Sequence, residues 1–206
     1  MISDSAELGF REEVRPNDLA RVREMVASSG IFSAEEVLLA TELVNERLTR
    51  GMASGYHFLF AETTEGVVGY GCFGPIPCTA ASFDLYWIAV HNPLRRSGVG
   101  KRLLQKIEES IHQRGGRRIY VETSSREIYR PTRAFYEACG YQRAAVLEDF
   151  YSPGDAKLIY VKVLQLNPNG SWAGCHGKAV VQTLAVDWPR GGICNSLACS
   201  DAASSR

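Results

Sequence analysis

The 206-residue sequence has no excess of charge of either sign. Lysine plus arginine and aspartate plus glutamate number 23 each, so the formal net charge is zero. Proteins that bind nucleic acid or an anionic membrane usually present a broad positive field, and this composition supplies none. We therefore expect neither nucleic acid nor a membrane among the partners.

Long apolar segments are also missing. No uninterrupted apolar run approaches the roughly 20 residues that a membrane-spanning helix needs. Residues 1–14 lack the cationic start and apolar stretch of a signal peptide. These absences predict a protein of the cytoplasm.

Cysteine and histidine spacings typical of metal sites are absent as well. No two cysteines show C-x-x-C spacing, and the histidines form no ligand pattern beside them. We expect no metal and no disulfide framework. The residues concerned are Cys72, Cys78, Cys139, Cys175, Cys194, Cys199, His57, His91, His112 and His176.

The most informative segment runs from Asp84 to Lys101. A mostly apolar strand and a short turn lead into a cationic loop with two glycines, which opens an amphipathic helix. Glycine lets the backbone approach a ligand closely, and the first N–H groups of a helix have no partner within it. Together with the helix dipole and three cationic side chains, this pattern predicts a phosphate or pyrophosphate site.

Two common phosphate loops do not fit this segment. A Walker-type loop would need glycine at the place of Arg95 and serine or threonine at the place of Arg102. A dinucleotide-binding loop would need a third glycine where Leu103 stands. The pattern that fits is R-x-x-G-x-G, with Arg95, Gly98 and Gly100 in place.

Hydrophobic periodicity and breaker residues predict the element order β-α-α-β-β-β-α-β-α-β-β. The predicted strands cover 10–14, 56–61, 67–73, 83–91, 118–123, 143–150 and 156–164. Helices are predicted to begin near Pro16, Ser33, Val99 and Pro131, the second with a capping box. We predict one domain over residues 1–166 and a poorly ordered C-terminal extension over 167–206.

The loop and a later segment together resemble the GNAT superfamily of N-acetyltransferases. Residues 132–141, with the pair Phe135-Tyr136 and a terminal Gly140-Tyr141, are similar to the late helix of that family. The resemblance implies a mixed α/β (α+β) fold. Its sheet would have six to seven mostly antiparallel strands, with helices on both faces and a splay between strands four and five. One departure is Tyr129, which stands where the family commonly has asparagine.

The resemblance also implies acetyl-CoA as acyl donor, with its pyrophosphate on the loop. Exposed strand-four backbone would pair with the pantetheine amides, and the Val90 N–H would stabilise the oxyanion. Because side chains alternate along a strand, Asp84, Tyr86, Ile88 and Val90 are expected on one face. The predicted cofactor-binding residues are Ile88, Ala89, Val90, Arg95, Arg96, Ser97, Gly98, Val99, Gly100 and Lys101.

Acetyl transfer to an amine needs a base and a proton for the departing thiolate. Tyr136 matches the family's helix tyrosine, and a phenol with an ordinary pKa of about 10 is protonated at neutral pH. The base is left open among Asp84, Glu122 and a relay through water. Direct deprotonation by Asp84 would need burial to raise its pKa.

The expected activity is therefore direct acetyl transfer to a primary amine in a ternary complex. A small molecule such as an amino acid, polyamine or aminoglycoside-like compound is the expected acceptor. A protein acetyltransferase and a non-catalytic acyl-CoA sensor are the alternatives, and a homodimer is left open.

Overall fold

A computed structural model describes residues 8–164 of the chain. The predicted extension over 167–206 lies outside these residues. The strands are β1 (Gly9–Arg11), β2 (His57–Thr63), β3 (Gly66–Pro75), β4 (Ser82–Val90), β5 (Arg118–Ser124), β6 (Gln142–Ser152) and β7 (Asp155–Val163). The α-helices are α1 (Asp18–Ser28), α2 (Ala34–Arg50), α3 (Val99–Gln113) and α4 (Arg130–Ala138). The predicted element order is confirmed, although β1 is shorter and begins earlier than expected.

The strands form one sheet in the order β1-β2-β3-β4-β5-β7-β6. Neighbouring strands are antiparallel except for β4 and β5, which run parallel. The parallel pairing covers only three residue pairs and ends with Asp84 opposite Tyr120. Beyond that point the two strands separate, which confirms the predicted splay.

Helices cover both faces of the sheet, as predicted. The capping box at the start of α2 is present, with the Ser33 Oγ accepting from the Glu36 N–H at 3.2 Å and Glu36 Oε2 accepting from the Ser33 N–H at 2.7 Å. Apolar residues of α1 and α2 pack on β2 and β3, and those of α3 and α4 pack on the opposite face. The first core includes Val22, Val26, Val44, Phe58, Phe60 and Tyr70, and the second Leu103, Ile107, Ile119, Tyr136 and Tyr160.

A glycine allows α3 to lie close to the middle of the sheet. A Cβ atom at Gly71 would stand 2.3 Å from the Ile107 Cδ1 and 3.3 Å from the Trp87 carbonyl oxygen. A side chain there would have to displace the end of the Ile107 side chain, which packs between α3 and the sheet. The close approach brings the start of α3 next to the end of β4, where the predicted site lies.

A β-bulge at Tyr86 interrupts β4. Phe73 pairs with Leu85, but the next residue of β3, Cys72, pairs with Trp87. Tyr86 is thus the extra residue, and it shifts the alternation of side chains by one position. Leu85 therefore lies in the core beneath α3, whereas Trp87 packs on the side of α1 and α2.

The prediction that Asp84, Tyr86, Ile88 and Val90 share one face is wrong, because the bulge lies between them. Asp84 and Tyr86 lie on the side of α1 and α2, where the Tyr86 ring meets Tyr56 edge to face at 5.5 Å. Ile88 packs into the core beneath α3, and Val90 also lies on that side. The two pairs thus border the splay from opposite faces of the sheet.

Candidate active site

The loop before α3 leaves a group of backbone donors unused. Arg96 and Gly98 have positive φ angles of 64° and 89°, and Gly98 is the N-cap of α3. The first hydrogen bond of the helix runs from the Arg102 N–H to the Gly98 carbonyl at 3.1 Å. Among the described residues, the N–H groups of residues 98–101 therefore have no acceptor. Four neighbouring donors at a helix N-terminus suit an anion.

The cationic side chains of this loop are not engaged elsewhere. Arg95, Arg96 and Lys101 are exposed, and none forms an ion pair with a carboxylate within residues 8–164. The first turn of α3 contains no acidic residue. The Ser97 hydroxyl donates to the Leu94 carbonyl at 2.5 Å, so this side chain shapes the loop itself. The loop therefore carries an uncompensated positive charge.

Three elements meet at Gly100. A Cβ atom at this position would lie 3.6 Å from the Val90 Cγ2 at the end of β4. It would also lie 3.7 Å from the Phe135 Cε2 on α4. One space is thus bordered by the loop of residues 95–101 (the phosphate-type loop), by the open edge of β4 and by α4, which carries Tyr136.

The backbone of β4 offers hydrogen-bonding groups to the splay. The His91 N–H donates to the Val68 carbonyl on β3 at 2.9 Å, and Val90 is paired with Gly69. Hydrogen-bonded and non-bonded pairs alternate in an antiparallel ladder. The N–H and carbonyl of Val90 therefore point away from β3, and those of Ile88 do the same.

Beyond Asp84, β5 no longer pairs with β4, so these groups face an open groove. The alternation also places Ala89, the residue between them, with its backbone groups toward β3. Of the three predicted strand residues, Ile88 and Val90 thus offer backbone groups to a ligand. Ala89 does not offer them on this edge.

Tyr136 lies in the core between α4 and the sheet. Its side chain is 4% exposed, and its ring centroid is 5.4 Å from that of Tyr141 and 6.4 Å from that of Tyr160. Burial raises the pKa of Tyr136 well above its ordinary value, so the phenol is protonated at neutral pH. The Tyr136 hydroxyl makes no hydrogen bond within residues 8–164, so its proton remains available for donation.

Asp84 stands where β4 and β5 begin to separate. Burial raises the pKa of the Asp84 carboxyl from 3.8 to about 6; the negative charge of Glu122 adds to this effect and Lys157 opposes it. A carboxylate with this pKa is ionised at neutral pH and is a stronger base than an ordinary aspartate.

Glu122, the alternative base, lies on the same face as Asp84 but in different surroundings. Its side chain is 51% exposed, and its Oε2 forms an ion pair with the Lys157 Nζ at 2.7 Å. The charge of Glu122 is therefore already compensated by Lys157, whereas Asp84 forms no ion pair within residues 8–164.

The hairpin of β6 and β7 contributes side chains that the sequence analysis missed. The Lys157 Nζ lies 3.9 Å from the ring centroid of Phe150, and the Tyr151 ring meets Phe150 edge to face at 5.0 Å. Burial, with the negative charge of Glu122 as the next cause, raises the pKa of Tyr151 to about 12. These residues reach the site because β7 pairs with β5. The only local signal was a pair of aromatic residues close to the Pro153-Gly154 turn.

A polar network connects the end of β5 to α4. Buried Asp155 accepts a hydrogen bond from the Ser124 hydroxyl at 2.5 Å and forms an ion pair with Arg126 at 3.2 Å. Arg133 donates to the carbonyls of Ser124 and Arg126, both at 2.8 Å. This hydrogen-bond network connects α4 to the end of β5. It therefore holds α4, and Tyr136 on it, in a fixed position relative to the splay.

Nothing in the described part of the chain resembles a metal centre. Residues 8–164 contain no group of three or more histidine, cysteine, aspartate or glutamate side chains that could hold a metal ion. Cys72, Cys78 and Cys139 are free thiols. No helix among these residues is long and apolar enough to cross a membrane.

Comparisons with known proteins agree with this geometry. The family model described as an acetyltransferase (GNAT) domain matches residues 54–143. A crystal structure from Desulfovibrio desulfuricans, assigned as an acetyltransferase of the GNAT family, is 44% identical. It aligns with a TM-score of 0.75 over 76% of this chain and 99% of the other. The chain belongs to the GNAT family of acetyltransferases.

Two further relatives are more distant from this GNAT chain. The curated "uncharacterized N-acetyltransferase YsnE" of Bacillus subtilis (strain 168) is 38% identical over 55 residues, which is 27% of this chain. The match spans only 36% of that relative's length. YncA of Salmonella typhimurium, solved with acetyl-CoA, is 15% identical with a TM-score of 0.62. That alignment covers 80% of this chain and 98% of the other, and it supports the GNAT fold.

Proposed function

We propose that the protein is an acetyl-CoA-dependent N-acetyltransferase that acts on a primary amine. The observation that carries this proposal is the set of free N–H groups of residues 98–101 beside the open edge of β4. A GNAT neighbour from Salmonella typhimurium has acetyl-CoA bound, which supports the choice of donor. The proposed location is the cytoplasm.

The loop would bind the pyrophosphate of acetyl-CoA. Backbone N–H groups of residues 98–101 would donate to the phosphate oxygens, and the positive charges of Arg95, Arg96 and Lys101 would add attraction. The pantetheine arm would enter the splay and pair with the backbone of Ile88 and Val90, as an added strand does. This places the thioester near the point where β4 and β5 separate.

Proton transfer to the Asp84 carboxylate would start the reaction. The ammonium of the acceptor gives one proton to Asp84, directly or through a water molecule, and becomes a free amine. Its nitrogen lone pair attacks the thioester carbonyl carbon and forms a C–N bond. The Val90 N–H, which points into the splay, is the proposed donor to the oxyanion.

Collapse of the tetrahedral adduct breaks the C–S bond, and the sulfur leaves with the electron pair. The nitrogen of the adduct loses its second proton to solvent. Because burial raises the pKa of Tyr136, full proton transfer from this phenol to a thiolate is uphill. Tyr136 would therefore stabilise the sulfur as it departs by donating a hydrogen bond, and the thiolate takes its proton as the product leaves.

The acceptor is proposed to be a small amine. It would approach from the side of Asp84, where Tyr86, Tyr151 and Glu122 surround the opening of the splay. Aromatic rings and carboxylates attract an ammonium group. This arrangement supports a cationic substrate without selecting one compound.

The proposal is tested by titrating the purified protein with acetyl-CoA in a calorimeter and then adding a panel of primary amines. Binding together with amine-dependent release of free CoA is the expected result. Binding without release for every amine would favour an acyl-CoA sensor, and no binding would refute the loop assignment.

A further inference from the structure

We propose that Lys157 is a positioning residue for acetyl transfer. Its ammonium, held between Glu122 and the ring of Phe150, neutralises Glu122 and keeps the neighbouring Asp84 carboxylate in the ionised form that accepts a proton. This inference rests on the proposed function and assigns a role to a residue on β7.

The position of Lys157 follows from the pairing of β7 with β5. Lys157 is opposite Ser124, and the next residue, Leu158, points into the core beneath α3. Since side chains alternate, Lys157 lies on the other face of the sheet, together with Glu122. The distance from Lys157 Nζ to Glu122 Oε2 is 2.7 Å.

The ammonium is enclosed on a second side. The Lys157 Nζ stands 3.9 Å from the ring centroid of Phe150, which is a cation–π distance. Lys157 is 14% exposed, whereas Glu122 is 51% exposed. An ammonium held by a carboxylate and an aromatic face has few other positions to occupy, so its charge is fixed in space.

This charge belongs to a row that crosses three strands. Asp84 on β4 pairs with Tyr120 on β5, and Glu122 is the next residue of β5 on the same face. The two carboxylates are therefore neighbours across the parallel pair, and the negative charge of Glu122 acts on Asp84. Across this face of the sheet, the negative charges of Asp84 and Glu122 are thus followed by the positive charge of Lys157.

The charged groups acting on Asp84 are Glu122 from β5 and Lys157 from β7. Tyr86 on its own strand also faces it, as a neutral phenol. Among the charged residues of α2, Glu46 and Arg50 act on Tyr56 and Glu36 acts on Tyr151, but none of them is among the charges that act on Asp84. Lys157 is therefore the cation that offsets the repulsion between the two carboxylates.

Removal of this cation has a defined chemical consequence. Two carboxylates that face each other without a cation cannot both stay ionised easily, and one of them takes a proton. Asp84 is the more buried of the two, so it would be protonated first. Less of the enzyme would then hold a free base at neutral or mildly acidic pH.

The test compares Lys157→Met with Lys157→Arg in the full chain. Methionine keeps an unbranched apolar side chain and removes the charge, whereas arginine keeps the charge. We measure kcat/KM against pH with one amine and express it as a ratio to the unsubstituted protein. The titration of the amine itself cancels in this ratio.

Lys157→Met is expected to shift the acidic limb of the kcat/KM profile to higher pH by about one unit. The reason is that an unpaired neighbouring carboxylate raises the pKa of Asp84 by about that much or more. At pH 5.5 the variant should lose about tenfold in kcat/KM, and above pH 8.5 the loss should disappear. Lys157→Arg should keep the original limb. The double variant Lys157→Met with Glu122→Gln should return the limb toward its original position.

A purely structural lysine would behave differently. It would lower kcat/KM by the same factor at every pH, and Glu122→Gln would not correct the loss; that result would overturn the proposal. If Lys157→Met fails to fold, Glu122→Gln alone decides, because it should move the limb to lower pH and an unmoved limb contradicts the inference. An unsubstituted protein that is active but has no limb near pH 6 would instead refute Asp84 as the base.

Discussion

The Asp84→Asn substitution should make the protein more stable and nearly inactive. Burial raises the pKa of Asp84 from 3.8 to about 6, so the folded chain holds this proton more tightly than the unfolded chain does. Above pH 6 the carboxylate is ionised in both states, and its charge in half-buried surroundings destabilises the fold. Asparagine has nearly the same shape without the charge.

The size of the effect follows from the shift of the pKa. At pH 7.5 a pKa shift of this size lowers the free energy of unfolding by at most about 3 kcal/mol. Because Asp84 is only partly buried, solvent screening reduces the expected gain in the free energy of unfolding to about 1–2 kcal/mol. At pH 4.5 Asp84 is mostly protonated in the folded protein, and about a third of the gain should remain.

Urea denaturation at pH 7.5 and 4.5 measures the stability, and CoA release measures kcat/KM. Removal of a general base should lower kcat/KM by about 10²–10⁴-fold. Glu122→Gln is the matched control, since it removes an exposed, paired carboxylate from the same face. An Asp84→Asn variant that is less stable than the unsubstituted protein at pH 7.5, or that gains the same free energy of unfolding at both pH values, would show that burial does not raise the pKa of Asp84. An undiminished kcat/KM would show that Asp84 is not the base.

Three other substitutions test separate parts of the account. Gly98→Trp should abolish CoA binding in calorimetry, because a side chain there covers the free N–H groups. The control is Gly115→Trp, because Gly115 has a similar positive φ at the other end of α3, and this variant should bind CoA normally. An equal loss of binding in both variants would indicate a folding defect. Tyr136→Phe should lower kcat by about 10–10³-fold with an unchanged Kd for CoA, and an equal loss of both would count against its role at the sulfur. Lys162→Met should lower the free energy of unfolding by about 3–5 kcal/mol, because it leaves buried Glu108 without its ammonium 2.7 Å away. Adding Glu108→Leu to this variant should recover most of the lost stability in urea denaturation. If no stability is recovered, lost packing rather than the unpaired charge of Glu108 causes the destabilisation.

The sequence predicted those parts of the fold that depend only on residues close together in the chain. The capping box at Ser33 and the glycines of the phosphate-type loop act within one turn of chain, so their residue types alone indicated the structure. The order of strands and helices followed for the same reason. Most element boundaries fell within a few residues of the predicted positions.

The remainder depended on contacts between distant parts of the chain. The bulge at Tyr86 appears only when β4 is paired with β3, and it places Asp84 on the opposite face from Val90. Lys157 and Tyr151 are adjacent to Glu122 only because β7 enters the sheet between β5 and β6. No local spacing in the sequence encodes those neighbours, so they could not be predicted from it.

A crystal structure of the protein with acetyl-CoA would test the central claim most directly. We expect the diphosphate oxygens to accept hydrogen bonds from the N–H groups of residues 98–101, at about 2.7–3.2 Å. The pantetheine amides should pair with the backbone of Ile88 and Val90 in the splay. A diphosphate bound away from this loop, or a pantetheine arm outside the splay, would contradict the account.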